Sequence, residues 1–162
     1  MANLKIKTFP DTSLRKKAEK VLRIGQAEKK ILTDMAEAMY LNNGVGLAAV
    51  QVGIDKQLAV VDVGEGLIKM VNPVIVKREG HDTEQEGCLS VPEIVVKVRR
   101  AKKVVVNFLN ENGDAQQLRS EGLLARALQH EIDHLAGKLI VDYVNPIKRL
   151  FLKKKTNKSK KP

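Results

Sequence analysis

The sequence predicts an α+β protein in which one central helix is wrapped by small, mostly antiparallel β-sheets. Three observations support this. Helical apolar periodicity occurs near the N-terminus and again at 122–136, and β-rich runs fill the region between them. Asn112-Gly113, a strong hairpin turn signal, separates two of those runs. The 162 residues suit one compact domain with a substantial core.

Two helices are predicted before the strands. Pro10, Asp11 and Thr12 are typical of a helix start and predict a short helix near 12–20. The segment 27–44 predicts a longer amphipathic helix that ends at Asn43-Gly44. The apolar residues that share its buried face are Ile31, Leu32, Met35, Ala38 and Met39.

The central part of the chain is rich in β-branched residues and predicts strands. The predicted strands cover 57–63, 68–76, 93–98, 102–109 and 115–120. The helix that follows, 122–136, is closed by Gly137 and is apolar around most of its circumference. Such a helix is expected to lie at the centre of the fold, covered by other elements.

The C-terminal region predicts a short strand at 138–143 and then a basic amphipathic helix that starts near Asn145. Residues 153–162 are rich in lysine and lack apolar side chains, so we expect them to be frayed, with about the last eight disordered. The chain therefore divides into one folded domain, 1–147, and a basic C-terminal helix or tail, 148–162.

Composition excludes several classes of protein. There is no apolar run of the roughly 18 residues that a membrane-spanning helix needs, and the N-terminus lacks the apolar stretch of a signal peptide. One cysteine, Cys88, cannot form an internal disulfide. We expect a cytoplasmic protein in a reducing compartment, with a monomer as the default.

The strongest chemical motif is "HEIDH", residues 130–134, on the central helix. His130 and His134 are four residues apart and project from one helix face, so both imidazoles can reach one metal ion. Glu131 can reach a metal-bound water as a general base. The alternative is a surface helix with two exposed histidines. The apolar surroundings oppose it, because buried imidazoles and a carboxylate without partners are costly.

Two histidines leave a catalytic metal site incomplete, since such sites use three protein ligands. No Glu follows Asp142, and no third His follows at metalloprotease spacing. Cys88 is the strongest remaining candidate, because a thiolate is a good soft ligand. The third histidine, His81, lies in a polar stretch and is interpreted as a solvated loop or strand residue.

A glycine-rich stretch, "NNGVGLAAVQVG" (42–53), is the third feature. Gly44 and Gly46 permit close backbone approach or positive φ. Gln51 offers an amide that can donate to a developing oxyanion. A glycine turn packed under a strand remains the simpler interpretation.

Together, "GVGLAAVQ" (44–51), "EGCLS" (86–90) and "HEIDHLAG" (130–137) resemble the three ordered motifs of the peptide deformylase family. The resemblance covers most of the chain. It implies that Cys88, His130 and His134 bind the metal and that water takes the fourth position.

The resemblance also implies roles for other residues. Glu131 moves the proton, while Gln51 and the backbone N–H of Leu89 donate to the oxyanion. The residues that would bind substrate are Val45, Gly46, Gly87, Leu123 and Ala127, with Val45, Leu123 and Ala127 lining a pocket for a methionine side chain.

The implied reaction removes the N-formyl group from the formyl-methionine of newly synthesised proteins and releases formate. The family commonly uses Fe²⁺, and a His₂Cys set is also compatible with Zn²⁺, Ni²⁺ or Co²⁺. Two alternatives remain at this point: another HExxH metallopeptidase and a non-catalytic ribosome-associated protein.

The basic tail has two interpretations. Lys148–Lys161 carries eight of the 29 basic residues and none of the 19 acidic ones. It is either a solubilising end or, as in similar bacterial deformylases, an electrostatic dock on ribosomal RNA. With Phe151 as its only aromatic residue, the tail is expected to contact phosphates without stacking on bases.

Overall fold

The computed structural model describes residues 3–159 and has the predicted α+β architecture. Its helices and strands, in chain order, are α1 (Gln26–Leu41), β1 (Gly46–Ala48), β2 (Leu58–Val61), β3 (Ile68–Glu79), β4 (Asp82–Cys88), β5 (Val91–Arg100), β6 (Lys103–Leu109), β7 (Ala115–Glu121), α2 (Gly122–Leu135) and α3 (Pro146–Ser159). Short 3₁₀ turns cover Thr12–Arg15, Ala49–Val52 and Ile140–Tyr143. Among the described residues, no helix has the length and apolar character required to cross a bilayer.

The strands form two separate antiparallel sheets. One has five strands in the order β1-β2-β3-β6-β7, and the other contains β4 and β5 alone. The β6–β7 hairpin turns at the predicted Asn112-Gly113. The β4–β5 hairpin is therefore not hydrogen-bonded to the main sheet, although it carries Cys88.

Apolar packing places α2 at the centre, as its sequence predicts. Leu128 of α2 is completely buried and packs in one cluster with Met70 of β3 and Val106 of β6. A second cluster joins the buried face of α1 to β1 and β2, and a third joins the β5 side of the hairpin to the Ile140–Tyr143 turn. The metal-motif helix is thus covered on several sides before any polar contact is considered.

The helix predicted near 12–20 is wrong beyond Arg15. Only Thr12–Arg15 is helical, as a 3₁₀ turn, and Lys16 is already extended. Beyond it, the Ala18 N–H donates to Leu135 O and the Glu19 N–H donates to Asp55 O. These tertiary hydrogen bonds use the backbone groups that a continuing helix would need.

The strand predicted at 138–143 is also wrong, because Ile140–Tyr143 is a 3₁₀ turn. Asp142 explains this, since its side chain accepts from the Leu139 N–H at 3.0 Å and from Arg15 at 2.6 Å. These bonds hold the chain in a tight turn, while Ile140 and Val141 remain buried.

The C-terminal helix is longer than the sequence indicates. α3 runs to Ser159, so residues 153–159 are helical where fraying is expected. Leu152 packs against the third cluster, Thr156 is buried, and both anchor the helix to the body. The remainder of the predicted disordered end lies outside the described residues.

Candidate metal centre and substrate cleft

The spacing of His130 and His134 on α2 brings both imidazoles to one side of the helix. Their Nε2 atoms lie 3.1 Å apart. His134 is 1% exposed and Glu131 is 4% exposed, so this face is directed inward. The alternative of a surface helix with exposed histidines does not fit this burial.

Cys88 reaches the same point from the end of β4. Its Sγ lies 3.4 Å from His134 Nε2. The ligand atoms of Cys88, His130 and His134 all lie within 4.8 Å of one another, and this is the one such group of three among residues 3–159. His81 is exposed between β3 and β4 and takes no part in it.

The three side chains fit a tetrahedral divalent cation. Bonds of about 2.0–2.3 Å around such an ion separate neighbouring ligand atoms by roughly 3.3–3.6 Å. His134 Nε2 lies at similar distances from His130 Nε2 (3.1 Å) and from Cys88 Sγ (3.4 Å). Burial lowers the pKa of His134 well below its usual value, which favours a neutral imidazole with a free lone pair. Glu131 Oε2 and His134 Nδ1 are buried without a hydrogen-bond partner among the described residues. A cation with a bound water would satisfy a carboxylate in this position.

Glu86 orients the first histidine. Its Oε2 lies 3.0 Å from His130 Nδ1, while Arg100 Nε donates to its Oε1 at 2.6 Å. Burial opposes ionisation of Glu86, but the hydrogen bonds from Arg100 and His130 outweigh it and hold the pKa at about 2. Because the ionised carboxylate only accepts, His130 Nδ1 carries a proton, which leaves Nε2 as the ring nitrogen that can bind a metal. Burial opposes protonation of this ring, but the hydrogen bonds with Cys88 and Glu86 raise the pKa of His130 well above its usual value, so a cation would bind Nε2 in place of a second proton.

Glu131 lies beside this centre and is almost completely buried at the end of the cleft. Burial raises its pKa to about 7. A carboxylate with a pKa near neutrality can both accept and return a proton at physiological pH. Gly46 lies directly against it: a Cβ on Gly46 would collide with Glu131 Oε1 and lie 2.9 Å from its Cδ.

Gln51 has a fixed orientation. Its Oε1 accepts from the Ala48 N–H at 2.9 Å. Because that N–H can only donate, Nε2 must face the site, where it lies 3.1 Å from Ser90 Oγ and 3.7 Å from Cys88 Sγ. The amide is thus presented as a donor beside the metal ligands.

Gly44 and Gly46 serve close approach rather than positive φ. A Cβ on Gly44 would lie 2.7 Å from Leu89 Cδ1. The absence of a Cβ therefore lets the glycine-rich stretch pack closely against Leu89 in the turn that follows Cys88, and Leu89 lines the cavity in front of the site. The simple glycine-turn interpretation is therefore incomplete, because both glycines touch candidate site residues.

A cavity of about 600 Å³ opens in front of these groups. The predicted residues that line it are Val45, Gly46, Gln51, Gly87, Cys88, Leu89, Leu123, Ala127, His130 and Glu131. His134 lies behind His130 and does not line it. Val45, Leu123 and Ala127 supply apolar surface, so the cavity combines an apolar wall with a polar end at the candidate metal ligands.

Three charged residues at the site were not singled out from sequence: Glu86, Arg100 and Arg126. Two of these residues, Arg100 and Arg126, occupy positions that the sequence pattern marks as unusual. Arg100 falls on the buried face of β5, in the alternation with Val96 and Val98. Arg126 is a charged residue within the apolar part of α2. A charge at an apolar position indicates a buried partner, but sequence alone does not identify that partner.

Comparisons with known proteins agree with this geometry. The family model described as polypeptide deformylase matches residues 3–150. A peptide deformylase of Nitrosococcus oceani is 45% identical over 161 residues, covering 98% of this chain and 96% of the relative. One of Caldanaerobacter subterraneus is 53% identical over 144 residues, covering 89% and 91%.

Solved structures give the same result. The peptide deformylase of Ehrlichia chaffeensis in complex with actinonin has a TM-score of 0.97 at 38% identity and covers all of both chains. That of Legionella pneumophila has a TM-score of 0.91 at 41% identity, covering 99% of this chain and 100% of its own. The likeness therefore extends from the three motifs to the complete fold, and this chain belongs to the polypeptide deformylase family.

Proposed function

We propose that this protein removes the N-formyl group from the N-terminal formyl-methionine of newly synthesised proteins and releases formate. The observation that carries the proposal is the meeting of Cys88, His130 and His134 beside Glu131, at the polar end of a cleft with an apolar wall. Family membership favours this activity over another HExxH metallopeptidase and over a non-catalytic ribosome-associated protein.

Cys88, His130 and His134 would hold one divalent metal ion, for which we propose Fe²⁺, with Zn²⁺, Ni²⁺ and Co²⁺ as substitutes that the same donors accept. When bound, such an ion lowers the pKa of water and polarises the formyl oxygen. The chain would contribute the Cys88 sulfur and one ring nitrogen from each of the two imidazoles as donor atoms for this ion.

Glu131 then carries the proton. Its carboxylate accepts a proton from the water whose oxygen bonds to the formyl carbon. It returns that proton to the departing nitrogen as the carbon–nitrogen bond breaks, which leaves formate and a free amine. Gln51 Nε2 and the Leu89 N–H donate to the formyl oxygen as it gains negative charge.

The cleft walls would hold the substrate. Gly46 lies on β1, which is an edge strand, so an extended peptide can pair with its backbone, with Gly87 across the cleft. The methionine side chain would enter between Val45, Leu123 and Ala127. Leu123 is 58% exposed and Val45 is 45% exposed, which leaves apolar surface available for that contact.

An anaerobic assay tests the function. The purified protein is loaded with metal, its metal content is measured, and it is given formyl-Met and acetyl-Met peptides. We expect formate from the first and little acetate from the second. A metal-loaded sample that yields no formate would reject the proposal. Cleavage of an internal peptide bond instead would favour the metallopeptidase.

The basic helix α3 supports a second proposal, that it docks on ribosomal RNA through phosphate contacts. Lys148, Lys153 and Lys154 are exposed along it. Deleting α3 would also remove Leu152 and Thr156 from the body, so charge variants give a cleaner test.

In that test, the three lysines Lys148, Lys153 and Lys154 are changed to Gln, and ribosome binding is measured at several salt concentrations. The slope of log affinity against log salt should fall by roughly one for each phosphate that the variant no longer binds. The matched control changes three exposed lysines of the N-terminal region, Lys5, Lys17 and Lys20. Equal slopes for both variants would contradict the docking role.

A further inference from the structure

The candidate metal ligands come from two bodies of structure that share no sheet hydrogen bonds. His130 and His134 lie on α2, which is packed in the main core. Cys88 lies on the β4–β5 hairpin, which forms its own sheet. Hydrogen bonds of the main sheet therefore do not set the distance between Cys88 Sγ and the two imidazoles. Other contacts between the hairpin and α2 must do so.

Arg126 spans this junction. It lies on α2, one turn before His130, and its side chain is 10% exposed. NH1 donates to Glu86 Oε1 at 2.8 Å and to Val98 O at 2.9 Å, and NH2 donates to Asp82 Oδ1 at 2.6 Å. One guanidinium on the helix therefore forms hydrogen bonds with both strands of the hairpin.

Arg100 makes the reciprocal connection from the hairpin. Its side chain is 3% exposed. Nε and NH2 donate to the two oxygens of Glu86, and NH1 donates to Asp133 Oδ2 on α2 at 2.7 Å. Glu86 lies two residues before Cys88 and also contacts His130, so both ligand-bearing bodies meet at this one carboxylate.

We propose that Arg126 is a positioning residue for the metal centre. It fixes the β4–β5 hairpin against α2, and so sets Cys88 relative to the histidines, and it helps to hold the Glu86 carboxylate that orients His130. This inference rests on the metal-dependent function proposed above. Arg126 acts through Glu86 and the hairpin and touches neither the metal nor the reacting atoms.

The shape of the guanidinium explains the choice of residue. A planar group with several fixed N–H donors can bind two carboxylates and a carbonyl at once, whereas the ammonium of lysine is a compact point charge. Arg126→Met keeps most of the buried stem but removes the hydrogen bonds to Glu86, Val98 and Asp82. Arg126→Lys keeps the positive charge but loses the planar arrangement of N–H donors.

Cobalt binding in the absence of substrate tests the proposal. Co²⁺ affinity is measured by competition with a chelator, and the thiolate-to-cobalt absorption band reports the placement of Cys88. In Arg126→Met we expect affinity to fall about tenfold, at the lower end of the effect of outer-sphere partners. The absorption band should shift or weaken. Arg126→Lys should restore little of the cobalt affinity and little of the original band. Unchanged affinity and an unchanged band in Arg126→Met would overturn the proposal.

Controls separate positioning from simple stability. Arg119→Met changes an exposed arginine on β7 and should leave cobalt binding as in the original protein. A lower melting temperature with an unaltered band would make Arg126 merely structural and overturn the proposal. If Arg126→Met does not fold, Asp82→Ala removes only the outer acceptor of Arg126, the Asp82 carboxylate, whose side chain is 42% exposed. A smaller shift of the band in the same direction supports the proposal, and no shift opposes it.

Formate release keeps this inference distinct from the proposed function. If the cobalt-loaded original protein shows the thiolate band but releases no formate, the deformylase proposal fails. The comparison between Arg126→Met and the original protein still decides the positioning role, because it uses no substrate.

Discussion

Two regions meet at the metal centre, and different forces hold them in place. Helix α2 is fixed by apolar burial, with Leu128 completely enclosed. A buried leucine contributes about 1.5–3 kcal/mol without strict directional demands. The β4–β5 hairpin also packs apolar side chains on the Ile140–Tyr143 turn. Its connection to α2 itself runs through Glu86, Arg100 and Arg126, whose bonds depend on distance and angle.

This difference suggests a division of labour. The helix provides stability, and the His130–His134 spacing follows from its own geometry. Buried ion pairs add little net stability, because desolvation offsets their attraction. They do fix orientation, and the hairpin needs this because Cys88 has no helix to set its register. We therefore expect a change at Glu131 of α2 to affect the chemistry, and a change at Cys88 of the hairpin to affect metal retention.

The largest effect is expected from Glu131→Gln on α2. Removing the carboxylate that we propose transfers the proton should lower kcat by about 10²–10⁴-fold. Metal content should stay as in the original protein, because Glu131 is not a ligand. Formate release and elemental analysis on the same samples measure both quantities. Loss of metal would instead assign Glu131 a structural role. It would contradict the expectation that this residue of α2 affects the chemistry and not metal retention.

Cys88→Ser tests the hairpin side. A serine hydroxyl stays protonated at neutral pH, so we expect metal affinity to fall by more than the roughly 100-fold upper value for outer-sphere changes. Chelator competition measures it. A variant that retained full affinity would return Cys88 to the status of a buried small residue.

Glu86→Gln acts on both regions at once. The neutral amide turns an N–H toward one of its donors and weakens the bond that orients His130. Metal affinity should fall by about 10–100-fold. The matched control is Glu84→Gln, an exposed position on the same strand. Equal metal affinity in the two variants would show that the charged connection is dispensable.

The smallest effect is expected from Gly46→Ala. The new methyl group must displace the Glu131 side chain, because a Cβ would lie closer to its Oε1, Cδ and Cγ than real Cβ atoms approach. Turnover should fall by less than the roughly 100-fold associated with a 1 Å misplacement, with metal content unchanged. Gly25→Ala, where a Cβ meets only Glu28 Oε2 at 3.5 Å, is the matched control. Equal turnover in both variants would show that Glu131 tolerates the shift.

Sequence patterns predicted the elements that have strong periodicity. The helix predicted at 122–136 is Gly122–Leu135, and the run predicted at 102–109 is β6. Strand β4 was missed because its buried residue is Glu86, so no apolar alternation marks it. The 12–20 helix failed because tertiary hydrogen bonds captured its backbone, and local sequence does not show such partners.

The same distinction holds for the candidate site: contacts within one helix follow from the sequence, whereas contacts between elements do not. His130 and His134 are adjacent on one helix, so spacing alone placed them together. Cys88 lies more than forty residues away, and only elimination and family resemblance associated it with them. The partners of Arg126 depend on how the hairpin docks on α2, which is a property of the folded chain.

Because the chain has a single cysteine, alkylation of Cys88 can measure how many metal centres are filled. Cys88 is partly accessible and is the only thiol in the chain. An alkylating reagent such as iodoacetamide can therefore label one defined atom, and a metal-bound thiolate resists that reaction. Under anaerobic conditions, where the thiol is not oxidised, the fraction of chains left unlabelled counts the filled centres, and the labelled fraction counts those that have lost their metal.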